Sequence, residues 1–280
     1  MEIDEPMSQA QAGALMAILG KAELEFAAKL VAPLFWGVRA ADRKHSLRNG
    51  TAFFLDAGEG PFGVTAHHVI AEYQEQRAAG AVVGLQLSDL QIDFEGRHSI
   101  IATHEALDIA TFRVSREEIE SINKTVLTGH QSEWPPFPPQ QGRGIYFAGF
   151  PGCERVHLTR SDISFGVASG GGIASSVSDI DISMQIERGH LIPVLGEGLP
   201  PENVNFGGIS GGPMLTVTER RGLRGWSLGG VIYQGPSTSA DPNEAIVGLE
   251  IIRARRAHFI RPDGTLDVAR WESLQPFRGR

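Results

Sequence analysis

The segment Trp134-Pro135-Pro136-Phe137-Pro138-Pro139-Gln140-Gln141-Gly142 constrains this chain more than any other. Proline fixes φ and lacks an amide hydrogen, so its four prolines prevent both a helix and a strand ladder. The segment reads as a connector between two halves, with a docking site for a proline-binding partner as the other reading. Both halves consist of short strand-like runs broken by turn signals. In the first half the runs are 34–38, 51–55, 62–65, 81–87, 90–94, 99–102 and 109–114. In the second they are 144–150, 156–158, 164–168, 180–186, 214–218, 226–233 and 245–252.

Helices are expected at the ends. Over 8–32, Leu15, Met16, Ile18, Leu19, Leu24, Ala27, Leu30 and Val31 recur at near-helical spacing, and Pro33 supplies a stop. This helix is expected to pack on the main body or to serve as a regulatory, partner-binding segment. Shorter helices are expected over 71–79 and, after the turn Pro262-Asp263-Gly264, over 266–274. Gly170-Gly171-Gly172 lacks the strand-to-helix context of a phosphate cradle and reads as a flexible loop.

A chain of 280 residues with 41% hydrophobic and 21% charged residues has the composition of a soluble globular protein. Its net charge of −8 argues against a general nucleic-acid binder, which needs a basic surface. The basic cluster Arg253-Ala254-Arg255-Arg256 reads as a solvated face. No apolar run is long enough to span a membrane, and the acidic start lacks the basic and apolar regions of a secretory signal. The single cysteine, Cys153, excludes an intrachain disulfide and reads as structural; a reducing compartment, the cytoplasm, is the expected address.

Three stretches carry chemistry. Asn205-Phe206-Gly207-Gly208-Ile209-Ser210-Gly211-Gly212-Pro213-Met214-Leu215 is a sharply folded loop that presents one hydroxyl among uncovered backbone N–H groups. Read alone, it is either an ordinary glycine turn or a serine nucleophile with donors for an oxyanion. Val64-Thr65-Ala66-His67-His68-Val69 ends an apolar run with two histidines, and Ala106-Leu107-Asp108-Ile109-Ala110 sets one carboxylate in another. In the order His, Asp, Ser, the three stretches resemble the chymotrypsin-like (trypsin-fold) serine peptidases, in particular bacterial members of intracellular type. Asn49-Gly50-Thr51-Ala52-Phe53-Phe54 is similar to the Gly-Thr-Gly-Phe strand that precedes the histidine in bacterial members.

The resemblance covers about residues 34–275 and implies a mainly β fold. It would have two six-stranded antiparallel β-barrels, an N-terminal helical extension over 1–33 and a short C-terminal helix. The first barrel would span 34–133 and carry His68 and Asp108; after the linker 134–143, the second would span 144–280 and carry Ser210. The implied activity is endopeptidase hydrolysis through an acyl-enzyme. His68 would be the base, Asp108 its orienting acid and Ser210 the nucleophile, with the Gly208 and Ser210 N–H groups as oxyanion hole. His67 competes for the base role, but alternation along an extended backbone lets only one of the pair face the serine. Protein or peptide substrates are implied, with no cofactor, metal, nucleic-acid or membrane partner.

The residue before the nucleophile departs from the family. Secreted proenzymes carry an Asp there to pair with a freed N-terminus; Ile209 cannot, so the loop must be held by packing or by a bound substrate or regulator. The base of the primary specificity pocket falls near Val204 and Asn205, and its rear strand at Tyr233, Gln234 and Gly235, with Gly235 leaving the entrance open. No carboxylate lies there, which implies small or medium apolar side chains before the cut. The alternatives are a silent peptide-binding or regulatory relative, an esterase and a zinc hydrolase. His-Asp-Ser order and Pro213 argue against the α/β-hydrolase elbow. The sequence has no His-Glu-x-x-His or paired-Cys spacing for zinc.

Overall fold

Phe53 and Phe54 are neighbours in sequence, and both are fully buried. Successive side chains of a strand point to opposite faces, so their strand must have a core on each side. The computed structural model, which describes residues 8–39, 45–129, 134–159, 162–187, 205–220, 223–236 and 250–275, shows how. The first sheet contains β1 (Val31–Arg39), β2 (His45–Asp56), β3 (Phe62–Thr65), β4 (Val82–Leu87), β5 (Leu90–Gln91), β6 (Ile100–His104), β7 (Ile109–Arg113) and β8 (Leu127–Thr128). Its order is β5-β4-β1-β2-β3-β7-β6, all antiparallel, with β8 added parallel to β2.

The second sheet contains β9 (Gly144–Gly149) and, beyond a small ribbon of β10 (Arg155–His157) and β11 (Ile163–Phe165), β12 (Ala168–Ile173), β13 (Ser176–Val177), β14 (Asp181–Ile186), β15 (Pro213–Arg220), β16 (Leu223–Gln234) and β17 (Glu250–Arg256). Its antiparallel order is β12-β9-β15-β16-β17-β14-β13. The helices are α1 (Gln9–Leu30), α2 (His67–Ala78), α3 (Arg116–Ser121) and α4 (Val268–Leu274). Among the described residues, no helix is long and apolar enough to cross a membrane.

Strand alternation sorts the apolar residues into three cores. Phe54 joins Trp36, Ile70, Leu87 and Phe112 inside the first unit, and Phe147, Met214, Ile232 and Ile252 fill the second. Their chain neighbours Phe53, Tyr146, Leu215 and Val231 point the other way, into a third core shared by both sheets with Leu30 of α1 and Trp271 of α4. Each large apolar side chain buried this way contributes roughly 1.5–3 kcal/mol. Toward its N-terminal end α1 leaves Leu15, Ile18 and Leu19 exposed.

The mainly β architecture of two antiparallel sheets with a helix at each end is as expected. The sheets hold eight and seven strands rather than six each, and the two-residue strands β8 and β13 carry too few residues for a pattern. α1 stops at Leu30, and Pro33 lies inside β1 opposite Thr51. Its missing N–H costs no β4 ladder bond, since that register begins at Leu34. Gly170–Gly172 is part of β12 and not a loop: a Cβ on Gly170 would sit 2.9 Å from the Phe147 ring, and one on Gly172 2.9 Å from Met184 Sδ. Arg255 and Arg256 are buried instead of solvated, because β17 runs between β16 and β14. α3 is an addition whose sequence signal is the capping box of Ser115 and Glu118. Of the run expected over 245–252, residues 245–249 lie outside the described ones.

Candidate active site

His68 stands in the first turn of α2, which begins four residues earlier than the 71–79 expectation. The pair His67-His68 is therefore helical, not extended, and helical rotation separates the two rings. His67 Nδ1 meets Thr103 Oγ1 at 2.7 Å, while His68 turns to Asp108. The N-cap of α2 is Ala66, which has no side chain to satisfy the first amides. Asp108 supplies that cap from the head of β7: Oδ1 accepts from His68 N at 2.9 Å and Oδ2 meets His68 Nδ1 at 2.8 Å. A carboxylate only accepts, so the proton of the neutral ring sits on Nδ1 and Nε2 keeps its lone pair. The His68 side chain is 47% exposed and that of Asp108 18%.

Asp108 has φ of 53°, the left-handed region that few non-glycine residues other than Asp and Asn adopt. Its N–H closes the turn to His104 O at 2.9 Å and Glu105 O at 3.0 Å. Behind that turn Leu107 is fully buried.

Ser210 lies on the loop ahead of β15. Asn205 Oδ1 accepts from Gly207 N at 2.7 Å and starts the loop as an Asx turn. Gly208 and Gly211 have φ of 106° and 89°, and a Cβ on Gly211 would sit 2.1 Å from Thr51 O. Ile209 is fully buried in the second core, so packing anchors the loop at this position.

Thr51, on β2, ties this loop to the first sheet. Its N–H donates to Ser210 O at 2.9 Å, and its hydroxyl donates to Gly208 O at 2.7 Å while accepting from Phe150 N at 2.8 Å. Nearby, Asn49 Nδ2 donates to Phe150 O at 2.7 Å and Thr65 Oγ1 to Thr51 O at 2.7 Å. The motif resemblance of Asn49–Phe54 assigns Thr51 no role. The signal was available: a polar residue opening the apolar run Ala52-Phe53-Phe54 must find partners when buried.

Gly207 O accepts from Gly152 N at 2.6 Å, and Ile209 O from Gly212 N at 2.9 Å. In a trans peptide the N–H points opposite to the C=O, so the Gly208 and Ser210 amides turn away from these bonds. Neither has an acceptor among the described residues.

His68, Gly208 and Ser210 line one cavity of about 540 Å³. Asn205, Cys153 and Arg155 also line it. Cys153, expected to be structural, is exposed at this cleft; partial burial and the Glu154 carboxylate push its thiol up, toward the protonated form. Burial and then Arg48 lower Arg155, whose Nε donates to Gly152 O at 2.9 Å.

Of the expected pocket residues, Val204 lies outside the described ones and Asn205 is at the cavity. Tyr233, Gln234 and Gly235 do not line it. Gly235 backs onto the loop, where a Cβ would meet Ile209 Cδ1 at 3.2 Å and Phe206 Cβ at 3.3 Å. The Tyr233 ring carries the Arg255 guanidinium at 4.7 Å, and burial and then Asp181 push its phenol up. Among the described residues no three His, Cys, Asp or Glu side chains gather as a metal-holding group.

No protein-family model and no curated protein matches the sequence. Solved structures do resemble it. The active form of the Rv3671c protease from M. tuberculosis has a TM-score of 0.42 at 14% identity, over 91% of this chain and 90% of that one. The serine protease domain of the Sesbania mosaic virus polyprotein has a TM-score of 0.38 at 15% identity, over 79% and 86%. A further Sesbania mosaic virus structure, described by the coupled folding and binding of its VPg protein, scores 0.39 at 15% identity over 81% and 91%.

Proposed function

We propose that the chain is a serine endopeptidase in which Ser210 is the nucleophile, His68 the general base and Asp108 the orienting acid. The observation that carries this reading is the doubly bonded His68–Asp108 pair at the cavity that Ser210 lines, with Nε2 left as the free acceptor. Ser210 Oγ gives its proton to His68 Nε2 as it bonds to the scissile carbonyl carbon. The oxyanion that forms is held by the N–H groups of Gly208 and Ser210, which have no other described acceptor. His68 then returns the proton to the leaving amine as the C–N bond breaks, and water hydrolyses the acyl-serine by the same route.

Ile209 gives the loop its control. Buried among apolar side chains, it needs no ion pair with a freed N-terminus, so activity does not depend on amino-terminal cleavage. The substrates are peptides or proteins, with small or medium apolar side chains before the cut, since Asn205 at the expected pocket base is no carboxylate and Glu72, which also lines the cavity, is paired with Arg48 at 3.4 Å. A chain with one cysteine forms no internal disulfide, which suits a cytoplasmic setting.

A peptide library tests both activity and preference. Wild type is expected to cleave after small or medium apolar residues, and Ser210→Ala to cleave nothing. Cleavage mainly after Arg would overturn the preference. Binding retained equally by wild type and Ser210→Ala, with no cleavage by either, would mean a silent peptide binder, and turnover of esters alone an esterase.

A further inference from the structure

Arg255 is a long cation in the interior strand β17, only 8% exposed. Its guanidinium stacks on two aromatic rings, with Cζ 4.7 Å from the Tyr233 centroid and 4.8 Å from that of Trp271. All three of its nitrogens are used. Nη1 donates to Asp181 Oδ1 at 2.6 Å, Nε to Leu107 O at 2.9 Å and Nη2 to Ala106 O at 3.3 Å. Two of these three acceptors lie 148 and 149 residues away in sequence, on the first sheet's side of the molecule.

Those two carbonyls belong to the residues directly before Asp108. Asp108 itself is in the left-handed region, and its carboxylate is the sole described group holding both the N–H and Nδ1 of His68. A left-handed aspartate is strained relative to its other conformations and holds that backbone only where its surroundings fix it. The fork of an arginine, stacked and hydrogen-bonded from the opposite sheet, fixes the peptides on its N-terminal side.

We propose that Arg255 is a positioning residue: it clamps the Ala106–Leu107 peptides and thereby aims the Asp108 carboxylate at His68. Asp181 and the two rings hold the clamp in turn. The charged groups around it are Asp181 on β14 and Arg253 on its own strand, with the Tyr233 phenol facing it from β16. The catalytic consequence rests on the peptidase reading; the geometric claim does not.

Proton NMR of protein labelled with ¹⁵N-histidine separates the two. Wild type and Ser210→Ala are expected to show a hydrogen-bonded His68 Nδ1–H signal, assigned by its loss in His68→Gln. Arg255→Lys keeps the charge but lacks the planar fork, and is expected to lose that signal with its far-UV circular dichroism unchanged. Its labelling by a fluorophosphonate should fall on the order of 100-fold, the cost of misplacing a reacting group by about 1 Å. Asp181→Ala leaves Arg255 in place with one hydrogen bond fewer, and is expected to weaken both readouts by less. It serves as the deciding variant if Arg255→Lys does not fold. A folded variant with the His68 signal and labelling of wild type overturns the proposal. If wild type itself takes no label, the peptidase reading fails and the NMR signal alone decides the clamp.

Discussion

One hydroxyl joins three parts of the molecule at the candidate site. Thr51 Oγ1 lies between Gly208 O on the Ser210 loop and Phe150 N at the end of β9, from its place on β2. In Thr51→Val the shape is kept and both bonds are lost, which leaves a carbonyl and an amide unpaired. Stability is expected to fall by roughly 1–3 kcal/mol in urea unfolding, with slower labelling of Ser210, and Thr51→Ser to recover most of both. A variant as stable and reactive as wild type would show that the hydroxyl does not hold the loop. At this scale the sequence shows residue types but not their partners. The candidates His68, Asp108 and Ser210 stand in local motifs, whereas the bonds of Thr51 reach across 99 and 157 residues. Arg255 hid for the same reason, since three arginines in four residues look solvated until the sheet order encloses them.

Among the elements, the loop that carries Ser210 tolerates little change. Gly211 combines a φ of 89° with a Cβ position 2.1 Å from Thr51 O and 2.3 Å from Thr65 Oγ1. Gly211→Ala is expected either to yield insoluble protein or to lose more than about 3 kcal/mol in urea unfolding, beyond an ordinary single substitution. Recovery of a soluble variant with the wild-type unfolding midpoint would contradict the observed loop geometry. Continuous apolar runs such as β7 and β9, buried along nearly their whole length, were legible close to their limits. The two-residue strands β8 and β13 were not, because pairing with a neighbour and not their own pattern makes them strands. The glycines of β12 misled for a related reason: their small size serves the facing Phe147 and Met184, which only the folded sheet brings near.

Over the whole molecule, the two units are joined by an apolar core, and the polar bonds that assemble the site cross the same boundary. One buried base makes this assembly sensitive to acid. His258 follows β17 in a short turn, is 8% exposed, and its Nε2 has no partner among the described residues. Burial, then the cations Arg256 and Arg270, push its imidazole down to about 4. The unfolded chain binds this proton near pH 6.5 and the folded chain only near 4, so stability falls as pH drops through that window. The expected loss is on the order of 1–3 kcal/mol between the two values. Urea midpoints from pH 7 to 4 should follow that slope in wild type and be flatter in His258→Gln; parallel slopes would assign the acid sensitivity elsewhere. The division into two β-rich halves was legible from the Pro-rich segment and the turn signals. The shared core was not, since alternation within a run does not tell which face meets which partner.

In the proposed mechanism His68, oriented by Asp108, activates Ser210. Incubating the protein with a fluorophosphonate and mapping the adduct by mass spectrometry checks this. One adduct is expected, on Ser210, present in wild type and absent from both Ser210→Ala and His68→Ala. No adduct on folded wild type, or one that persists in folded His68→Ala at the wild-type rate, would contradict it.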